Sequence, residues 1–386
     1  MKEYLESLVV EQVNRALALK RLIQYPLKFP ELSGLADRCT VILDSRIELL
    51  RELQQNIEPR MENDLRDIFR DMRSVTRDIS WVEYYGIPPL YYQTPEIGFL
   101  NKVMFKIHRE IKLPLAPPSV CCIATEYYSL NLFTSVIFAP LTESEFLLHL
   151  SDLYHELGHY VLGNKDSELR LKTVKENYDL CFSKITDYYN NLLKDLRRDL
   201  GPPEIPVLIE RIHANWKNWI IEFFCDLFAL YTVGPAYAWA HLHLTVKHSD
   251  DIHELSVFSF QTHPSDESRM RILLCALNNI GFGEDATKIQ ESWSEVKKFW
   301  GPPEVEYQYA FPQELLEDMA KLTLVSLRAS GISIVSKKEL STPKDNEFRI
   351  MLNEAWSVFW TIKPDEFRAW EEKTMNKLRS DLSSEK

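Results

Sequence analysis

Residues 152–163 read DLYHELGHYVLG, and this stretch decides how the chain is expected to fold. Apolar side chains recur in it and before it at the three- and four-residue spacing of a helix with one buried face. These side chains are Phe146, Leu150, Leu153, Leu157 and Val161. Thr142 with Glu145 is typical of a capping-box start, and Gly163 is typical of a stop. We therefore predict a helix of about six turns over residues 142–163.

Two histidines of this predicted helix, His155 and His159, are four residues apart and therefore lie one above the other. They can present two imidazole nitrogens to one Zn²⁺ ion, while Glu156 stands beside the metal-bound water. This is the H-E-x-x-H pattern of zinc proteases. A chance match is expected in about one chain of fifty with this histidine content.

A catalytic zinc site needs a third protein ligand and an open position for water. Glu222 is the best candidate, because it lies with Asp226 in the apolar helical stretch WIIEFFCD at 219–226. Two acids four residues apart are costly to bury unless each carboxylate has a partner. Metal ligation by Glu222 and a hydrogen bond between Asp226 and a zinc-bound imidazole would explain both acids. A pair of salt-bridged acids is the alternative.

The segments around the H-E-x-x-H helix differ in character. Residues 119–140 read SVCCIATEYYSLNLFTSVIFAP and lack helical spacing, which predicts two or three strands. A proline-rich stretch at 114–118 separates these strands from a helical N-terminal region. Further helices are predicted over 166–200 and 207–233.

Composition narrows the classes of protein that this chain can belong to. Its 386 residues carry a formal net charge of −12, which argues against general attraction to nucleic acid or anionic lipid. Six cysteines without a spaced C-x-x-C pair indicate reduced thiols. The two most apolar stretches, 119–141 and 216–244, contain charged residues and are not predicted to span a membrane. Glu3 and Glu6 do not fit a signal peptide, so we expect a cytoplasmic protein.

Three motifs in a fixed order give the chain a family resemblance. They are HELGH at 155–159, Glu222 with Asp226, and Thr262-His263-Pro264 followed by Arg269. This order resembles the gluzincin peptidases, and within them the family of the CAAX prenyl proteases and the bacterial stress-induced membrane metalloproteases. The resemblance covers roughly residues 119–277.

The resemblance implies one zinc ion with three protein ligands, which are His155, His159 and Glu222. It places Asp226 beside a zinc-bound imidazole, and His263 and Arg269 near the substrate or in support of the site. An extended peptide would pair with an edge strand, for which residues 125–132 are the first choice. Because family members are commonly embedded in membranes and this chain has no predicted span, prenylated or membrane substrates are not expected.

The residue types define the expected reaction. Zinc lowers the pKa of a bound water from about 15.7 towards 7, and Glu156 accepts its proton and returns one to the leaving amine. His263 or a nearby tyrosine would donate to the developing oxyanion. The expected function is therefore hydrolysis of peptide bonds. One alternative is a zinc-binding regulatory or partner-gated protein, which the long helical flanks favour; a weaker one is a zinc hydrolase that acts on another bond.

The expected fold class is α+β and predominantly α-helical, with a zincin-like core, a small antiparallel or mixed sheet and an H-E-x-x-H helix. We expect a helical N-terminal region (1–113) and a metallopeptidase domain (114–300) with a helical insertion at about 164–206. A helical C-terminal region (301–386) completes the chain, and both helical flanks are candidate docking sites for a protein partner. Cys225 is expected to be an inert buried thiol, because no base is placed beside it.

Overall fold

The computed structural model describes residues 2–55, 62–123, 127–198, 204–255, 262–304, 306–342 and 345–384. The fold is predominantly helical with one small three-stranded sheet, which confirms the predicted class at this level. Its residues form two compact units. The first unit comprises Met1–Phe105, Ala116–Ser144 and Asp381–Lys386, and the second comprises Lys106–Leu115 and Glu145–Ser380.

The first unit combines helices with the sheet. Its helices are α1 (Lys2–Ile23), α2 (Ser33–Gln55), α3 (Glu62–Trp81), α4 (Ile87–Tyr91) and most of α5 (Pro95–Ile111), which continues into the second unit. Its strands are β1 (Ser119–Cys121), β2 (Ser129–Asn131) and β3 (Val136–Phe138). The predicted strands are therefore present, as three short ones.

The sheet has the order β1-β3-β2, with β1 parallel and β2 antiparallel to β3. Val120 pairs with Ile137 at its centre, and both β-branched side chains are buried. Asn101 of α5 holds β1 in place, since its amide accepts from the Val120 backbone N–H at 3.0 Å and donates to the Val120 carbonyl at 2.8 Å.

The described residues of the second unit form helices and the segments that connect them, with no strand among them. Its helices are α6 (Asp152–Gly163), α7 (Ser167–Arg170), α8 (Lys172–Arg198), α9 (Glu204–Val233), α10 (Pro235–His248), α11 (Asp266–Asn279), α12 (Gly283–Lys297), α13 (Tyr307–Ala310), α14 (Gln313–Ala329), α15 (Lys337–Leu340), α16 (Glu347–Thr361) and α17 (Pro364–Ser384), whose last residues belong to the first unit. The predicted helices over 166–200 and 207–233 correspond to α7 with α8, and to α9.

Helix α6 starts later than predicted. Two 3₁₀ turns, Glu143–Glu145 and Leu148–Ser151, occupy the stretch assigned to its first turns. The Leu147 backbone N–H donates to the Glu371 carboxylate at 2.8 Å rather than to a carbonyl one turn earlier, so the helical ladder is broken there. Phe146, placed on the apolar face by its spacing, is 46% exposed. The other four apolar positions are buried as predicted.

Helix α9 forms the core of the second unit. It packs against α6, α8, α10, α11 and α14. Nearly every residue from Trp219 to Val233 is buried, as expected for a helix that is apolar on all sides. Glu222 and Asp226 lie within this buried stretch, so the two predicted acids are in the core rather than on a solvated face.

The two units group the chain differently from the predicted regions. The sheet belongs to the same unit as the N-terminal helices, and residues 301–380 belong to the same unit as α6. The division into 1–113, 114–300 and 301–386 stays a prediction about which parts fold independently. Among the described helices, none is both long and apolar enough to cross a membrane.

Candidate metal centre

Gly158 brings helices α6 and α9 together. A Cβ atom at this position would lie 2.7 Å from the Cα of Cys225, a distance too short for two carbon atoms that are not bonded. The middle glycine of HELGH is therefore required for the close approach of the two backbones. This approach places His155 and His159 of α6 opposite Glu222 of α9.

Three imidazoles surround the carboxylate of Glu222. Nε2 of His155 lies 3.3 Å from Oε2, and Nε2 of His159 lies 3.6 Å from Oε1. Nε2 of His263 lies 3.6 Å from Oε2. Four predicted site residues, from three separate segments, therefore meet at one point.

One oxygen of this carboxylate is buried without a hydrogen bond. Among the described residues, none donates to Oε2 of Glu222, because the 3.3 Å contact with His155 does not have hydrogen-bond geometry. Buried polar atoms in native proteins are almost always satisfied. A buried carboxylate oxygen facing imidazole nitrogens is the arrangement that a bound cation completes, so the residues fit a metal ion.

Cys225 is a competing ligand. His155, His159 and Cys225 can each contribute one ligand atom such that all three lie within 4.8 Å of one another, so this group could also bind a metal ion. Burial, followed by the charge of Glu222, raises the pKa of the Cys225 thiol well above its usual value. A thiol must lose its proton to bind a metal, and this environment opposes that loss.

Glu222, by contrast, has a lowered pKa. Burial opposes its ionisation, but His155 and then His159 and His263 outweigh burial and lower the pKa of Glu222 to about 2. Burial, followed by the charge of His155, lowers the pKa of His159 to about 4. A neutral imidazole and an ionised carboxylate therefore face each other at neutral pH.

A polar cluster contacts the Nδ1 atom of His155. Its Nδ1 lies 2.9 Å from the hydroxyl of Tyr237 and 3.1 Å from Oδ1 of Asp226. The Tyr237 hydroxyl donates to Asp226 at 2.6 Å, so it can only accept from the Nδ1–H of His155. Burial opposes ionisation of His155, but the neighbouring carboxylates of Asp226 and Glu222 outweigh burial and raise its pKa to about 10. The second proton, on Nε2, is the one that a metal ion would displace.

Arg269 anchors this cluster. Its Nε donates to Oδ2 of Asp226 at 2.8 Å and its Nη2 donates to Oδ1 at 2.6 Å, a bidentate pair. Burial alone would raise the pKa of Asp226, but Arg269 holds that pKa well below its usual range. Asp226 thus lies beside His155, and Arg269 contacts Asp226; their roles in the site stay predictions.

Tyr237 is a site residue that sequence reasoning missed. It lies on α10, 82 residues from His155 in sequence. The only local signal is the helix break at Gly234, whose φ of 94° is strained for any other residue and which turns the chain between α9 and α10. Nothing in that signal indicates which side chain of α10 reaches His155.

Glu156 and His263 occupy different environments. Glu156 is buried, and burial, with added repulsion from Glu222 and Asp152, raises its pKa to about 7. A pKa near the working pH is the value that a general base requires. The His263 side chain is 62% exposed, and its Nδ1 lies 2.9 Å from the Thr262 hydroxyl. Its assignment as a donor to the oxyanion stays a prediction.

The predicted peptide-binding edge is partly outside the described residues. Of the range 125–132, positions 125 and 126 lie outside them, and Ser129–Asn131 forms β2 at one edge of the sheet. Pairing of a peptide with β2 stays a prediction.

Comparison of the chain with protein-family models, with curated proteins and with solved structures finds no significant match. The interpretation of the site therefore depends on its own geometry.

Proposed function

We propose that this chain is a zinc-dependent metallopeptidase with a zincin-like catalytic core. The observation that carries the proposal is the convergence of His155 and His159, the two histidines of an H-E-x-x-H helix, on the buried carboxylate of Glu222. Peptide bonds are the substrates that sites of this pattern hydrolyse. Two imidazoles and one carboxylate, with a position left for water, are a ligand set of catalytic zinc.

Glu222 is the preferred third ligand, and Cys225 is the alternative. The carboxylate of Glu222 has a low pKa and an unsatisfied buried oxygen, whereas the thiol of Cys225 keeps its proton. Cys225 also has a packing role, since its backbone lies against Gly158. These observations support His155, His159 and Glu222 as the residues that hold one zinc ion.

A zinc ion at this site supplies Lewis-acid activation of water and of a peptide carbonyl. The chain's own residues orient the ligands and transfer the protons. Tyr237 and Asp226 fix the ring of His155, and Arg269 fixes Asp226. Glu156 takes a proton from the attacking water and gives one to the leaving amine. His263, exposed beside Glu222, would donate a hydrogen bond to a substrate oxygen.

A second candidate function follows from the burial of the site. His155, Glu156 and Glu222 are all less than a tenth exposed. This enclosure favours a regulatory or partner-gated protein of the same fold, in which the site opens when a partner binds the helical flanks. The two candidates differ in whether the chain alone cleaves protein.

Zinc content and proteolysis, measured on the same preparations, test the proposal. We expect about one zinc per chain in the wild type and in Glu156→Gln, and a marked loss of zinc in Glu222→Ala. Cys225→Ser is the matched control and is expected to keep its zinc. Casein should be cleaved by the wild type and by Cys225→Ser, and not by the other two variants.

Each alternative has its own outcome. Zinc lost in Cys225→Ser but kept in Glu222→Ala would reverse the assignment of the third ligand. Bound zinc without proteolysis would favour the partner-gated protein. A correctly folded wild type that binds no zinc would refute both candidates.

A further inference from the structure

A cavity of about 1120 Å³ opens on the second unit, and none of the metal-centre residues described above lines it. It lies between the first turns of α9, the segment after α10 and the segment before α13. We call it the acidic pocket. Its described lining includes six carboxylates, from Glu204, Asp250, Asp251, Glu254, Glu304 and Glu306.

The charge of this pocket is one-sided. Of the sixteen described residues that line it, six are acidic, against 57 acidic residues among the 386 of the chain, and Arg211 is the single lysine or arginine among those sixteen. The two lysines at the end of α12 are directed to other carboxylates: Lys297 lies 3.2 Å from Glu267, and Lys298 lies 2.6 Å from Glu295. The pocket therefore attracts cations.

Apolar side chains line the pocket together with these acids. Val207, Leu208, Trp300 and Tyr307 line the cavity, and Val207 is 48% exposed. An apolar surface of this kind among polar groups binds an apolar group and uses the polar groups for specificity. The volume is larger than a single ion needs and suits several side chains of a peptide.

Tyr307, which lines the pocket, also contacts the residue that precedes α11. The ring of Tyr307 packs edge-on against His253, with centroids 5.3 Å apart, and its hydroxyl lies 2.6 Å from Oγ of Ser265. Ser265 caps the N-terminus of α11, the helix that carries Arg269. Pocket and metal centre therefore share supporting residues within one unit.

Helix α9 sets the spacing between the acidic pocket and the metal centre. Arg211 lines the pocket and Glu222 lies eleven residues further along α9. At about 1.5 Å per residue this separates them by about 16 Å along the helix axis. An extended peptide covers that distance with about five residues.

We propose that the acidic pocket binds a segment of the protein substrate in which lysine or arginine residues flank an apolar side chain, about five or more residues from the cleaved bond. The proposal rests on the proposed peptidase function for the role of the pocket, but the binding itself does not require cleavage. Charge complementarity selects the basic residues, and the apolar walls select the side chain between them.

Fluorescence anisotropy with a labelled peptide tests this binding. The probe is a peptide of about twelve residues with two arginines on each side of a leucine pair, and the full chain carries Glu156→Gln so that the probe is not consumed. Glu304→Gln/Glu306→Gln should weaken binding about fivefold, since each exposed charge contributes modestly. Val207→Lys should weaken it further, because it places a positive charge in the wall at a half-exposed position that tolerates the change. Glu372→Gln, an exposed acid on α17 outside the pocket, is the matched control and should bind as the parent does.

Equal binding of a probe with glutamates in place of the arginines would overturn the proposal, and so would parental affinity in both pocket variants. Circular dichroism of each variant confirms that it is folded. If the Glu156→Gln chain binds the probe but the wild-type chain cleaves nothing, the pocket assignment stands and the peptidase function alone is refuted. In the active chain, the pocket variants should slow cleavage of a long basic substrate about fivefold and leave a substrate too short to span about 16 Å unaffected.

Discussion

Gly158→Ala tests whether the close approach of α6 and α9 assembles the metal centre. The added Cβ would meet the Cα of Cys225 at 2.7 Å, its Cβ at 3.0 Å and its Sγ at 3.1 Å. Because the nearest atom is backbone, no side-chain rotation relieves the clash. The helices must separate by about 1 Å to restore ordinary van der Waals distances.

Two opposing terms set the change in the free energy of unfolding. Overpacking of a buried interface costs about 1–3 kcal/mol. Alanine in place of glycine within a helix recovers about 1 kcal/mol. We expect a net loss of about 0–2 kcal/mol, a modest effect on folding. The effect on the site is larger, since a shift of about 1 Å separates His155 and His159 from Glu222 by several times the roughly 0.2 Å that metal–ligand distances tolerate.

The assay is urea unfolding together with zinc affinity, measured by competition with a chelator. Gly158→Ala should lose much more zinc affinity than stability. Gly34→Ala is the matched control, because its Cβ would meet only the flexible Arg38 side chain at 3.4 Å. Cys225→Ala should not rescue Gly158→Ala, since the clash with the backbone at position 225 remains. Wild-type zinc affinity in Gly158→Ala, or rescue by Cys225→Ala, would refute the reasoning.

Three further predictions concern single residues. Tyr237→Phe removes the hydroxyl that accepts from His155 and should weaken zinc binding about tenfold to a hundredfold at unchanged secondary structure. Unchanged zinc affinity by chelator competition would show that Tyr237 has only a packing role. Asp226→Leu leaves Arg269 buried without its partner and should destabilise the fold by about 3–5 kcal/mol in urea unfolding. The double variant Asp226→Leu/Arg269→Met should recover much of that loss. A double variant no more stable than the single one would contradict this. Burial lowers the pKa of His108 from 6.5 to about 4, so the unfolded chain binds a proton that the folded chain does not. Stability should therefore fall as the pH drops from about 6.5 to 4, by up to about 3 kcal/mol, and His108→Gln should flatten that part of the stability profile; an identical profile in the variant would argue against burial of this ring.

Local spacing accounts for what could be predicted about the site. Two histidines four residues apart share a helix face wherever that helix lies, so His155 and His159 were found without knowledge of the fold. Glu222 and Asp226 could be found because acids in an apolar helical stretch need partners. His263 and Arg269 followed from the family resemblance, and the structure places both beside these acids.

Interactions between distant segments account for what was missed. The start of α6 depends on a bond from Leu147 to Glu371, which is 224 residues away. Tyr237 reaches His155 only because α10 folds back after Gly234. The walls of the acidic pocket come from three segments whose residues show no common pattern along the chain.

The sequence by itself determined the helical character of the chain, the presence of two or three strands and the chemistry of the residues that meet at the site. Helical and strand periodicity and the cost of burying charge are local properties, and a single chain displays them. Only the tertiary structure decided that Glu222, rather than a solvent-exposed acid, faces both histidines and that Gly158 permits this approach. It also decided that Tyr237 and Arg269 support the site. These relations depend on how closely α6, α9, α10 and α11 pack, and that distance is set by side chains far apart in sequence.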